Sequence, residues 1–247
     1  MDSLERRLRD EILKDPNVKL LATEKWTLPI QVVDVEFETV KRTKMDVLMK
    51  MLLIAFRTSE FSSVEDVGDI LVVEPLFVQD VIDRMSRAGL IVKNGGVFSL
   101  TAAGRQQLDA GIFVESPEIE DATVYYSPSH NLFLTGAPEE EEGKAYRYAE
   151  EFRHVNKISE GEWREALDQL NVTSAEGDAQ KVVQAILSVN ELQRISVPCL
   201  EFHLHQTAKD RFFARIWNTM TDRWDETLEM QVMEKELAEW RERYVKG

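Results

Sequence analysis

The sequence predicts an α+β protein: a compact helical module with a hairpin in its first half, then a second mixed α+β region that ends in a long helix. Three observations lead to this class. Apolar residues recur at helical spacing from Met45, break at a Lys93-Asn-Gly-Gly96 turn flanked by short β-like runs, and resume helical spacing after Thr101. The second half alternates strand-like and helix-like runs. From Thr221 onward, Trp224, Leu228, Met230, Val232, Met233, Leu237, Trp240 and Tyr244 punctuate a charged stretch that reads as a long helix, with some of them on different sides, so that it could touch both its own domain and a second chain. No internal period repeats, which excludes a solenoid.

Length and charge bound the function. A chain of 247 residues is long enough for one or two cores. Its 30 Lys and Arg stand against 45 Asp and Glu, a formal net charge of -15, which argues against a general grip on polyanions. The charge is uneven. Residues 1–50 carry 10 basic and 10 acidic side chains, residues 51–112 carry 5 and 8, residues 113–160 carry 4 and 11, and residues 161–247 carry 11 and 16. The single cysteine, Cys199, rules out an intrachain disulfide and a cysteine-rich zinc site. No apolar run approaches the about 18 residues of a membrane span, and the N-terminus reads as charged rather than as a signal peptide. A cytoplasmic protein without a membrane role is the expectation.

Taken in order, residues 1–44 begin with an amphipathic helix over Asp2–Lys14 and continue into an extended segment, in which Val33, Val35 and Phe37 alternate with Asp34, Glu36 and Glu38. Residues 45–112 follow as a domain. Val47, Leu48, Met51, Leu52, Ala55 and Phe56 supply a first helix, Ser62 or Ser63 caps a second through Leu71, and Glu74-Pro75 opens a third that runs to Ser86 or Arg87. A hairpin over residues 90–100 turns at Asn94-Gly95, and Thr101 caps a last helix that ends near Gly111. Residues 113–143 are a hairpin around Ser127-Pro-Ser-His130 and an acidic connector containing Glu139–Glu142. In residues 144–247, helices are predicted near Gly143, after the Ser159–Glu162 capping box, from Ser174 or Asp178, and from Thr221. Strands are predicted over Ile195–His205 and Phe212–Trp217.

The run VEDVGDILVVEPLFVQDVIDRMSRAGLIVKNGGVFSLTAAGRQQL, Val64–Leu108, resembles the bacterial winged helix-turn-helix superfamily, over about residues 45–112 only. The resemblance implies that the third helix acts as a recognition helix and the hairpin as a wing. Carried onto this chain, the contacting residues would be Gln79, Asp83, Arg84 and Arg87 on the helix, with Lys93 and Asn94 at the wing. Arginine or lysine could reach guanine or phosphate, and glutamine adenine. Glu74, Asp80 and Asp83 oppose phosphate on the same helix.

Catalytic patterns are few. Glu201, His203 and His205 share one face of a strand, and a carboxylate with two imidazoles is a metal-ligand set, although solvated or hydrogen-bonded roles are the commoner use of such residues. Cys199 reads as a buried inert thiol, and Ser127, Ser129 and His130 match no nucleophile elbow. With no Walker, dinucleotide or calcium-loop motif, no cofactor is expected. The reading is a non-enzymatic accessory or regulatory protein that recognises a protein partner through its winged helix within a larger assembly. A homodimer contact through the terminal helix is the alternative to intrachain packing of that helix. The competing functions are a sequence-specific DNA-binding transcriptional regulator and a metal-dependent enzyme or nuclease-complex component.

Overall fold

The computed structural model describes residues 2–245 and has a mixed α+β fold with several helices and a multi-stranded sheet. In chain order its first half comprises α1 (Asp2–Ile12), β1 (Val18–Lys44), α2 (Val47–Thr58), α3 (Val64–Leu71), α4 (Pro75–Arg87), β2 (Ile91–Asn94), β3 (Val97–Leu100), α5 (Ala102–Ala110) and β4 (Ile112–Val114). The second half comprises β5 (Glu118–Ser127), β6 (Leu132–Leu134), α6 (Glu160–Gln169), β7 (Ser174–Glu176), β8 (Ala179–Gln206), β9 (Arg211–Asn218), β10 (Arg223–Trp224) and α7 (Glu226–Val245). Among the described residues no helix is long and apolar enough to cross a membrane.

The chain folds as two compact units drawn from separated stretches. The first takes residues up to Val35, Ala122–Ala166 and residues from Val189 onward; the second takes Glu36–Asp121 and Leu167–Ser188. The larger sheet has the strand order β10-β9-β8-β1-β5-β6. Strands β8 and β9 pair antiparallel from Cys199 opposite Asn218 to Gln206 opposite Arg211, and α7 packs on β9. Trp26, Leu28, Ile30, Val197, Cys199, Ile216, Leu228, Val232 and Trp240 form the main core. On a separate cluster, Leu8 of α1 is buried with Leu200, Phe202 and Leu204.

In the second unit α2, α3 and α4 pack around Met49, Leu52, Leu53, Val67, Val78, Ile82 and Met85, with Leu90, Phe98 and Leu100 completing the cluster from the chain around the β2–β3 hairpin. The caps predicted at Ser63 and Thr101 find their amides. Ser63 Oγ accepts from Asp66 N at 3.1 Å and Thr101 Oγ1 from Gly104 N at 3.0 Å, while Asp46 accepts from Met49 N at 2.8 Å. The hairpin turns on Gly95 and Gly96 with φ of 59° and 88°, which supply the left-handed conformation that the turn requires. Strand β4 pairs with the end of β1, and β7 folds back on the start of β8. Both elements lie beyond the predicted pattern. The acidic side of β1 is met by polar partners on β8, with Ser188 donating to Glu36 and Gln184 to Glu38.

Three predicted helices are corrected. No α-helix starts near Gly143. Thr27 N donates to Lys144 O and Tyr146 N to Thr27 O, so the backbone around Tyr146 is spent on a bridge to β1. The run from Asp178 is strand, not helix. Val182, Val183, Ile186 and Leu187 fit a helical spacing by coincidence of a short apolar run, but Gly177 at φ 58° turns the chain and β7 pairs Ser174 with Lys181. The terminal helix begins at Glu226, because Asp222 is left-handed at φ 50° and Asp225, not Thr221, offers its carboxylate to the first turn at Leu228 N.

Helix α5 sits directly on the Leu90 carbonyl, so a β-carbon at Gly104 would fall 2.1 Å from that oxygen. An exposed glycine-to-alanine change inside a helix normally stabilises by about 1 kcal/mol. Gly104→Ala is expected to do the reverse, lowering stability by about 1–3 kcal/mol through backbone overpacking, as read from the urea midpoint. A raised midpoint would show that α5 is free to move off Leu90.

Candidate functional site

The outward stripe of α4 is set by helical spacing. With Val78, Val81, Ile82 and Met85 buried, Leu76, Asp80, Asp83 and Arg87 fall on the opposite side, at intervals of four, three and four residues. Gln79 turns along the helix and donates to Asp83 at 2.6 Å. Arg84 is half-buried, its guanidinium 5.5 Å from the centre of the Phe113 ring. Arg87 is exposed, and its carbonyl accepts from Ser116 Oγ at 3.0 Å. Among the described residues neither arginine pairs with a carboxylate. Both line a cleft of about 370 Å³ with Phe113, Glu115, Ser116 and Glu118. On the hairpin, Lys93 lies with Nζ 4.6 Å from the Phe98 ring centre and Asn94 is exposed. Gln79, Asp83 and Arg87 therefore share one exposed side of α4, whereas Arg84 is drawn toward Phe113.

A different charge pattern surrounds them. Between Thr58 and Arg84 there is no Lys, Arg or His, and Glu60, Glu65, Asp66, Asp69, Glu74, Asp80 and Asp83 are all exposed. Ile70, Val72, Leu76 and Phe77 are exposed among them. Sequence reasoning weighed Glu74, Asp80 and Asp83 and the net negative charge of the module, and missed that the stretch from residue 59 to 83 contains no cation, although its composition shows it.

The first unit holds two buried polar clusters. In one, strand alternation places Glu201 and His203 inward on β8, and both are fully buried. Arg147 donates through both terminal nitrogens to Glu201, at 2.8 and 2.7 Å, and through Nε to Glu236 on α7. Trp26 Nε1 donates to Glu201 at 2.6 Å, and Tyr148 and Trp240 donate to Glu236 at 2.8 and 3.0 Å. His203 Nε2 lies 2.6 Å from Glu201, and its Nδ1 lies 3.1 Å from the Tyr244 hydroxyl. An acceptor carboxylate places an imidazole proton on Nε2.

Burial by itself would raise the Glu201 carboxyl, but the Arg147 and His203 hydrogen bonds outweigh it and hold the group down at about 2. Glu236 is lowered as well, its burial being overcome by Arg147 and Tyr148. Burial also disfavours the Arg147 cation, and its two carboxylates more than reverse that effect. Glu201, His203 and Glu236 come close enough to offer a cation three ligand atoms. Protein donors already engage both carboxylates, with Arg147 supplying the positive charge that a metal would. His205 leaves this group, bonding Asp210 at 2.9 Å and stacking on Phe212. The arrangement is an ion-pair and hydrogen-bond lock between β8, α7 and the Arg147 segment. Arg147 and Glu236 had no motif to reveal them, since their partners lie 54 and 89 residues away.

In the second cluster Ser127 Oγ lies 2.7 Å from His130 Nδ1, and His130 Nε2 lies 2.9 and 3.0 Å from the Asp225 oxygens. This is the order of a nucleophile, a base and a carboxylate. Ser127, however, has no exposed surface, and an attacking oxygen must be reached by substrate. Asp225 also accepts from Asn218 Nδ2 and caps α7 at Leu228 N. Burial pushes its carboxyl up and the His130, Asn218 and Leu228 donors push it further down, leaving it lowered. The chain of bonds fixes the β5–β6 turn to the start of α7. Cys199 is buried, and burial raises its thiol well above the ordinary value, as an inert cysteine requires. Ser129 is buried too, on the same turn.

Replacing Arg147 by Met leaves two buried carboxylates facing each other, so it is expected to cost about 3–5 kcal/mol in chemical denaturation. Glu201 titrates at about 2 when folded and at an ordinary 4.5 when exposed. The unfolded chain therefore takes up the proton first: the stability from Glu201 is complete above about pH 4.5 and disappears between there and about pH 2. Glu201→Gln should flatten this part of the stability-against-pH curve; an unchanged acid limb would show that the lock contributes nothing.

The chain matches no family model, no curated protein and no solved structure.

Proposed function

We propose that residues 45–112 form a winged helix that recognises protein rather than nucleic acid, and that the chain is a non-enzymatic accessory or regulatory component of a larger assembly. The observation that carries this reading is the charge of residues 59–83, which run from before α3 into α4: seven exposed carboxylates and no cation. Nonspecific and much of specific DNA affinity comes from neutralising phosphate, which such a surface repels. Exposed Ile70, Val72, Leu76 and Phe77 on the same segment suit a protein contact, whose centre is apolar and whose margin is charged. The buried lock around Arg147 supports a structural use for the residues that would otherwise serve a metal enzyme.

A second reading, a DNA-binding regulator, draws on the exposed Arg87 and on Lys93 and Asn94 at the wing tip. A salt series with duplex DNA separates the two. The protein-binding reading expects no retention of duplex even at low salt, and no change on replacing Arg84 and Arg87 together by alanine. Tight binding that falls steeply with salt and is weakened by that pair would overturn it.

A further inference from the structure

The second unit exposes two apolar surfaces of opposite charge. The first lies on α2. Val47, Met51 and Ile54 recur at four and three residues on the side facing away from the buried Met49, Leu52, Leu53 and Phe56, and Val47 is 74 % exposed. Lys50 and Arg57, seven residues apart, run beside this stripe, and Lys44 precedes it. Residues 41–58 carry five basic side chains and one acidic one, Asp46, whose carboxylate is engaged in capping α2. Arg57 makes a weak exposed pair with Asp109 at 3.5 Å.

The second surface surrounds the α3–α4 turn, where Val72 is 90 % and Leu76 75 % exposed, with Ile70 and Phe77 beside them in the sequence and seven carboxylates over residues 59–83. Val72 is left-handed, at φ 54° and ψ 46°, a conformation that a β-branched residue adopts at a cost. Its exposed side chain recovers none of that cost by packing within the chain.

We propose that these surfaces are the two halves of one contact between copies of this chain, with the α2 stripe of one copy seated on the α3–α4 surface of the next. Apolar residues meet at the centre, and the Lys50 and Arg57 margin meets the carboxylates. The charges decide the pairing. Setting α3–α4 against itself brings carboxylates against carboxylates, and setting α2 against itself brings Lys50 and Arg57 against their own kind, so like surfaces repel and unlike surfaces attract. The contact is therefore between different faces. The proposal rests on the reading of this module as protein-binding and names the partner as a second copy.

Sedimentation velocity of the full chain over a range of concentration and salt tests it. The wild type should associate as concentration rises, and less so at high salt, which screens the charged margins. Met51→Glu and Leu76→Lys each spoil one face at an exposed position, and each should weaken self-association by about tenfold or more. Each variant keeps the face that the other has lost, so an equimolar mixture should form a complex that stops at two chains, while either variant alone stays monomeric. Circular dichroism unchanged from wild type shows that both remain folded. A wild type that stays monomeric at low salt, or association indifferent to both substitutions, overturns the contact. If the monomer instead binds a synthetic leucine-lysine amphipathic helix, and Leu76→Lys abolishes that binding, the α3–α4 surface belongs to a foreign basic helix and the self-contact is overturned. A monomer that also ignores DNA overturns the contact alone, whereas steep salt-dependent DNA binding overturns the protein-binding reading beneath it.

Discussion

Arg147 stands between Glu201 on β8 and Glu236 on α7, and the first unit is organised around that cation. Two carboxylates cannot both be ionised beside a hydrophobic core without a compensating charge, because desolvation favours their neutral forms. The guanidinium supplies that charge with a planar fork that reaches both, and Trp26, Tyr148, Trp240 and His203 engage the same two carboxylates. Strand, terminal helix and the irregular segment around Tyr146 are thereby held in one arrangement. The His130–Asp225 pair does the same for the β5–β6 turn and the beginning of α7. Both clusters contain residue types used in catalysis, and in both the polar atoms are engaged with one another, although His130 and Asp225 also line a cleft of about 350 Å³.

The second unit puts its chemistry on its surface. Its core is apolar, with Met49, Leu52, Phe56, Ile82 and Met85 among its buried side chains. What distinguishes it is the separation of charge along the chain, basic through α2 and acidic from α3 to the middle of α4, before Arg84 and Arg87. Electrostatic patterns of this kind select partners and orientations, while apolar residues inside them supply the attraction. The same pattern weakens the case for phosphate recognition on this segment, since the α4 stripe offers Asp80 and Asp83 beside Arg87.

Local signals were legible wherever one residue acts on its near neighbours. The caps at Ser63 and Thr101, the proline at the start of α4 and the Ser159–Glu162 capping box all appear at the predicted positions, because each depends only on residues about three apart, while the hairpin turn falls one residue on, at Gly95-Gly96 rather than Asn94-Gly95. The β1 alternation of Val33, Val35 and Phe37 also survives, with all three buried. Helices expected near Gly143 and from Asp178 failed where the backbone found partners far away in sequence. Thr27 captured the Tyr146 segment, and β8 runs from Ala179 to Gln206 beside strands from other parts of the chain.

The amino-acid sequence by itself determined the α+β class, the order of helices and hairpin in residues 45–112, the inert setting of Cys199 and the acidity that argues against a general polyanion binder. Only the tertiary structure decided what Glu201, His203 and His205 do. Alternation along a strand puts three side chains on one side, but it cannot say that Arg147 and Glu236 will meet the first two while Asp210 takes the third. Those outcomes depend on which distant segments desolvate the same point, and a buried charge is held by whatever opposite charge the fold brings within reach. The same physics applies at the surface, where the cations of α2 and the carboxylates of α3–α4 are plain in the sequence. Their lying beside exposed apolar side chains is a property of the fold.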